Sequence, residues 1–138
     1  MTVTISWDNS EKTVLRYDFT GRWTWHEFHI TMDEGVAIRT GVPHMVDIIA
    51  NLEQSAGLPP NTLSQLGRLY KVRMENRGMV VLTGGGSLVS SLVNIWTRLY
   101  PRARNEAAVA ASVEEARALI RKRQTEREMA LKPSSTSH

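Results

Sequence analysis

Cysteine is absent from this chain of 138 residues. Its absence excludes disulfides, thiolate zinc sites and cysteine nucleophiles together, and it fits a reducing compartment, so a cytoplasmic location is expected. Residues 1–10 hold no basic segment followed by an apolar one, and no signal peptide is expected. Long apolar runs are also lacking. The longest apolar-rich stretch, residues 88–100, is broken by Ser90, Ser91, Asn94, Thr97 and Arg98. It is too short and too polar to cross a bilayer, so no stable membrane insertion is expected. A strong excess of one charge is missing as well. Lys and Arg total 17 against 14 Asp and Glu, a net charge of +3, although the sequence pI is near 9.6. The cations fall mostly in residues 68–77, 98–104 and 117–127, as solvated helix faces and helix ends do. Trp7, Trp23, Trp25 and Trp96 are not interleaved with cations as a base-stacking platform requires, so no nucleic-acid partner is expected.

What is present is the signature of alternating strands and helices. Residues 2–7 alternate Val3, Ile5 and Trp7 with polar neighbours, and residues 13–20 alternate again, giving an antiparallel hairpin closed at Gly21. Thr24-Trp25-His26-Glu27 is a capping box, with Trp23 and Phe28 as its hydrophobic staple. It opens a helix whose stripe is Trp25, Phe28, Met32, Val36 and Arg39 and which ends near Gly41. Residues 44–52 read as a central strand, and Asn61 caps a second helix with a buried stripe of Leu63, Leu66, Tyr70 and Met74. Residues 79–83 form a strand feeding Gly84-Gly85-Gly86, after which Ser87 caps a helix running to Tyr100. A weak last strand (105–111) and a helix opened by the capping box Ser112 to Glu115 complete the order β-β-α-β-α-β-α-β-α. That order predicts one α/β domain over residues 1–123: a mixed, mostly parallel sheet of about five strands, an antiparallel N-terminal hairpin edge and four helices. Residues 124–138 are expected to be a polar, disordered tail.

Little in this pattern carries reactive chemistry. His26, His29 and Asp33 share one side of a helix, but one helix rarely supplies three ligands and no fourth is in reach, so no metal and no cofactor are expected. Gly85, Gly86 and Ser87 offer free amides to an anion, although no phosphate-binding motif or following Lys accompanies them. No acid/base couple is positioned, and an enzyme is not expected. The helix from Ser87 carries the sharpest clue. Leu88, Leu92, Ile95, Trp96 and Leu99 form one stripe, and Val89, Val93 and Tyr100 widen it beyond what packing on a sheet demands. The excess predicts either cover by a neighbouring helix or an exposed patch that meets a second copy, a partner or a lipid.

The order and several local motifs resemble the STAS-like domains, the group that includes the bacterial anti-sigma-factor antagonists with the SpoIIAA-like fold. The residues that carry the resemblance are Tyr17-Asp18-Phe19-Thr20-Gly21 leading through Trp23 into Thr24-Trp25-His26-Glu27-Phe28. Val46-Asp47-Ile48-Ile49 running into Leu58-Pro59-Pro60-Asn61, and the final helix over 112–120, extend it. The resemblance implies a non-enzymatic regulatory or interaction domain that docks to a protein partner or to itself. The docking surface is expected at Thr62, Ser64, Leu66, Ser87, Val89, Val93, Trp96 and Tyr100. In that group a phosphorylatable hydroxyl opens the helix after a strand-ending carboxylate. Here Thr62 and Ser64 are the nearest hydroxyls, and Asn51 stands in place of the acid. A carrier of a small apolar ligand or lipid is the alternative.

Overall fold

The alternation of the first twenty residues becomes a two-stranded antiparallel ribbon. β1 (Val3–Trp7) pairs with β2 (Val14–Gly21), Val3 opposite Phe19 and Trp7 opposite Leu15. The computed structural model describes residues 2–62, 64–65, 75–99 and 106–131, without the side chain of Leu88. β3 (Val46–Ser55) lies parallel to β2, β4 (Arg77–Thr83) parallel to β3, and β5 (Ala107–Ala110) parallel to β4. The sheet is therefore five-stranded in the simple order β1-β2-β3-β4-β5. The expected mixed sheet with an antiparallel edge is present.

Three helices, not four, are found among the described residues: α1 (Trp25–Thr40), α2 (Gly86–Leu99) and α3 (Val113–Leu131). The helix expected from Asn61 falls mainly on residues outside that description. Alternation of side chains along the strands divides the core in two. Leu15, Tyr17, Phe19, Ile48 and Leu52 meet α1 and α2 on one face, where Phe28 and Val89 pack. Val14, Ile49, Met79 and Val81 meet Ala116 and Ile120 of α3 on the other.

The start of α1 follows its sequence signal. Thr24 Oγ1 accepts from the Glu27 amide at 3.1 Å, and Glu27 Oε1 accepts from the Thr24 amide at 3.2 Å. The staple forms too, with Trp23 and Phe28 ring centroids 6.1 Å apart. The last helix has half of its expected box. Ser112 Oγ accepts from the Glu115 amide at 3.1 Å, while the Glu115 carboxylate takes the Ala111 amide instead.

Two boundaries differ from expectation. Ser87 lies inside the first turn of α2 rather than at its cap, since that helix already begins at Gly86. Residues 124–131, expected to belong to a polar tail, are instead the last turns of α3, which continues to Leu131. Its extra turns are anchored by polar groups, not by an apolar stripe: Gln124 Nε2 and Arg127 both donate to the buried carboxylate of Asp47. Residues 132–138 lie outside the described residues.

Candidate functional site

α1 and α2 do not close completely over the sheet. Between them and the α1/α2 face of β2, β3 and β4 lies a cavity of about 170 Å3 with an overwhelmingly apolar lining. The periodic stripe of α1 supplies one wall, since Trp25, Phe28, Met32, Val36 and Arg39 all border it. The floor is the strand row Tyr17 and Phe19 of β2, Ile48, Ala50 and Leu52 of β3, and Val80 and Leu82 of β4. The third wall is α2, through Val89, Leu92, Val93 and Trp96, with Leu58 and Thr62 from the segment after β3.

The rotation of α2 corrects the expected docking patch. Val89 is only 2% exposed and Trp96 9%, whereas Ile95 is 39% and Leu99 64% exposed. Val89, Val93 and Trp96 thus face their own subunit, and the exposed flank is Ile95 with Leu99. The helix has turned by roughly a quarter circle relative to a stripe centred on Leu92, Ile95 and Leu99. Val89 packs into the core cluster of the α1/α2 face, and it also fills the space that a Cβ at Gly85 would take.

The other expected site residues are dispersed. Thr62 borders the cavity and its hydroxyl donates to Pro59 O at 2.8 Å, while Ser64 is exposed. Leu66 and Tyr100 lie outside the described residues. Gly85, Gly86 and Ser87 are exposed at the head of α2. Asn51 points to the α3 face, opposite Thr62. Its amide donates to Asp18 Oδ1 at 2.9 Å and its carbonyl accepts from Thr83 Oγ1 at 3.0 Å. His29 meets Gln65 Oε1 at 2.7 Å, and His26 and Asp33 are exposed. Among the described residues no group of three His, Asp or Glu is placed to hold a metal ion.

Apart from Trp96, the aromatics and the arginines of the cavity are residues to which sequence reasoning gave no functional part. Five of the nine aromatic residues (Phe 2, Trp 4, Tyr 3) stand at Tyr17, Phe19, Trp23, Trp25 and Phe28. Their rings form one contact chain, from Phe19–Trp23 at 4.7 Å to Trp23–Trp25 at 4.9 Å and Trp25–Phe28 at 5.8 Å. That density within a dozen residues is the signal that was available. Arg39 and Arg77 border the same space. Arg39 is buried at the end of α1 and donates to the Glu75 carbonyl and to Asn76 Oδ1. Asn76 Nδ2 donates back to Arg39 O at 2.6 Å, which ties the end of α1 to the start of β4. Arg77 pairs with Glu106 at 3.2 Å. Burial pulls its pKa below the usual guanidinium value, and Glu106 opposes that shift.

Tyr17 reaches into α1 at Gly35, where an added Cβ would collide with the phenol oxygen. Burial pushes its pKa up to about 12; Arg39 pulls the other way and Asp33 adds to the rise. An unfolded tyrosine loses its proton near pH ~10. The folded state therefore holds the Tyr17 proton in a range where the unfolded chain releases it. The associated stability is intact below about pH 10 and is lost as pH rises through about 12. Urea unfolding is expected to show up to about 2–3 kcal/mol lost from this group across that interval. Tyr17→Phe, which has no phenol to ionise, is expected to lose less over the same range.

Compared with protein-family models, with curated proteins and with solved structures, the chain matches none, and the chemistry of its own cavity carries the functional reading.

Proposed function

We propose that this chain is a non-catalytic binding module that holds a small, largely apolar ligand between its sheet and helices α1 and α2, on a scaffold of STAS-like type. The observation that carries this is the cavity itself. Well-packed interiors leave few voids larger than a water molecule, whereas this one measures about 170 Å3 and is bordered by Trp23, Trp25, Phe28 and Trp96. Pockets of predominantly aromatic and apolar lining with a few polar groups are the usual form of small-molecule sites. The titratable groups among its described lining residues are Tyr17, Arg39 and Arg77. None of these is a general base near neutral pH, which supports a binding role over a catalytic one. The antiparallel edge strand followed by parallel strands in sequential order supports the STAS-like scaffold.

Docking to a protein partner or a second copy of the chain is the second reading, and the exposed flank Ile95 and Leu99 of α2 favours it. One experiment separates the two. Saturating toluene is expected to raise the Tm by about 4 °C, the shift for a ligand near tenfold above its Kd on a domain of this size. Ala50→Leu, which places three more carbons in the floor of the cavity, is expected to abolish that shift. Absence of any toluene shift, together with concentration-dependent self-association in sedimentation, would transfer the function to the α2 flank.

A further inference from the structure

We infer that the ligand of this cavity is a small aromatic monocarboxylate, its ring among the apolar walls and its acid group on Arg77 and Trp96. The inference deepens the binding role proposed above and rests on it.

The first support is a pair of donors. Arg77 Nε and Trp96 Nε1 are buried side-chain nitrogens with no hydrogen-bond acceptor among the described residues. Both residues border the cavity. Buried polar atoms are nearly always paired, so two orphans on one cavity ask for an explanation. The other two tryptophans of the cavity have theirs: Trp23 Nε1 donates to Ser55 Oγ at 2.9 Å and Trp25 Nε1 to Pro60 O at 3.0 Å. The two orphans also belong to one end of the site. Trp96 lies ten residues into α2 from Gly86, about 15 Å back along the sheet. Arg77 lies six residues, about 20 Å, back from Thr83 along β4. Both stand near the strand-start end, and the aromatic chain from Trp23 to Phe28 lies toward the opposite end.

Chemistry then narrows the head group. Indole N–H and guanidinium N–H donate and never accept, so the ligand must present acceptors. Glu106 engages Nη2 of Arg77 and leaves the Nε edge as a separate donor. Glu106 offsets the charge of Arg77, yet the Arg77 Nε–H remains a guanidinium donor, and charge-assisted hydrogen bonds from such a donor favour a carboxylate over a neutral acceptor. Volume narrows the body. An apolar protein cavity of about 150 Å3 accommodates benzene, so about 170 Å3 takes one ring with a small substituent.

Isothermal titration of the full chain with benzoate and with toluene, two probes of one shape, tests the inference. Benzoate is expected to bind at least tenfold more tightly than toluene. That ratio is expected to fall below threefold in Trp96→Phe, which keeps the ring packing and removes the N–H, and likewise in Arg77→Met. If Arg77→Met does not fold, Arg77→Lys keeps the charge, loses the Nε donor and is expected to narrow the ratio as well. Toluene binding with benzoate no tighter overturns the acid assignment while leaving the cavity as a ligand site. A preference for benzoate unchanged in both variants overturns the roles given to Arg77 and Trp96. Binding of neither probe overturns the binding role and this inference together.

Discussion

Asp47→Ala is expected to cost about 3–5 kcal/mol of folding stability, read as a fall in the urea midpoint without a change in its slope. The Asp47 carboxylate is fully buried at the start of β3. It accepts from the Met79 amide at 2.9 Å, from Gln124 Nε2 at 3.0 Å and from both terminal nitrogens of Arg127. Gly78 leaves room for this arrangement: an added Cβ there would collide with Asp47 Oδ1 and lie 2.7 Å from Arg127 Nη2. Removing the carboxylate strands a buried backbone donor, opens a void and releases Arg127 together. Because Gln124 and Arg127 belong to the last turns of α3, helicity measured by circular dichroism is expected to fall along with stability. Arg127→Met attacks the same knot from the other side and leaves an anion buried without its cation. The double variant is expected to lose about 1–3 kcal/mol less than the two single losses added, since the groups touch. A loss within about 0.5 kcal/mol of wild type for Asp47→Ala would place it among ordinary surface substitutions and refute the knot.

The same contact marks where the sequence stops being informative. The hairpin over β1 and β2 and the cap of α1 were legible because their signals are local: period-two alternation, and a Thr and a Glu three residues apart. The stripe of α1 was legible in part: its residues border the cavity, but the buried positions of the helix are Thr31, Gly35 and Arg39. The extent of α3 was not. Its last turns carry no apolar stripe, and they are held by a carboxylate 80 residues away from Arg127. The rotation of α2 was hidden by a different ambiguity. A helix apolar around half its girth satisfies several orientations equally by periodicity, and only the packing of Val89 and Trp96 against the sheet distinguishes them. The cavity was the least legible feature. Ala50, Val80 and Val93 are among its lining residues, and larger side chains at those positions would take up part of its space. A pattern of apolar and polar letters does not record such a difference in volume.

The second large effect is expected at Gly84, where the loop between β4 and α2 passes the end of β3. Gly84 has φ +78°, in the left-handed region that costs a residue with a Cβ about 1–2 kcal/mol. A Cβ there would also lie 2.5 Å from Glu53 N, 2.7 Å from Glu53 Cα and 2.7 Å from Leu52 C. All three are backbone atoms of β3, so no side chain can turn aside to relieve the contact. Overpacking of this kind adds about 1–3 kcal/mol. Gly84→Ala is therefore expected to lose about 2–5 kcal/mol in urea unfolding. Gly86→Ala, with φ +59° and open space around its Cβ, is expected to lose only the conformational part, about 1–2 kcal/mol. The two substitutions also differ in what they do to the cavity. Relief at Gly84 requires the loop to move away from β3, and that loop holds Gly85 against Val89 at the head of α2. Displacement of Val89 shifts one wall of the site, so Gly84→Ala is expected to weaken toluene binding as well as folding. Gly86→Ala is expected to leave the toluene response of the folded protein in place. Equal losses of stability for the two alanines would show that backbone conformation alone sets the cost. The close approach of this loop to β3 would then play no part in placing α2.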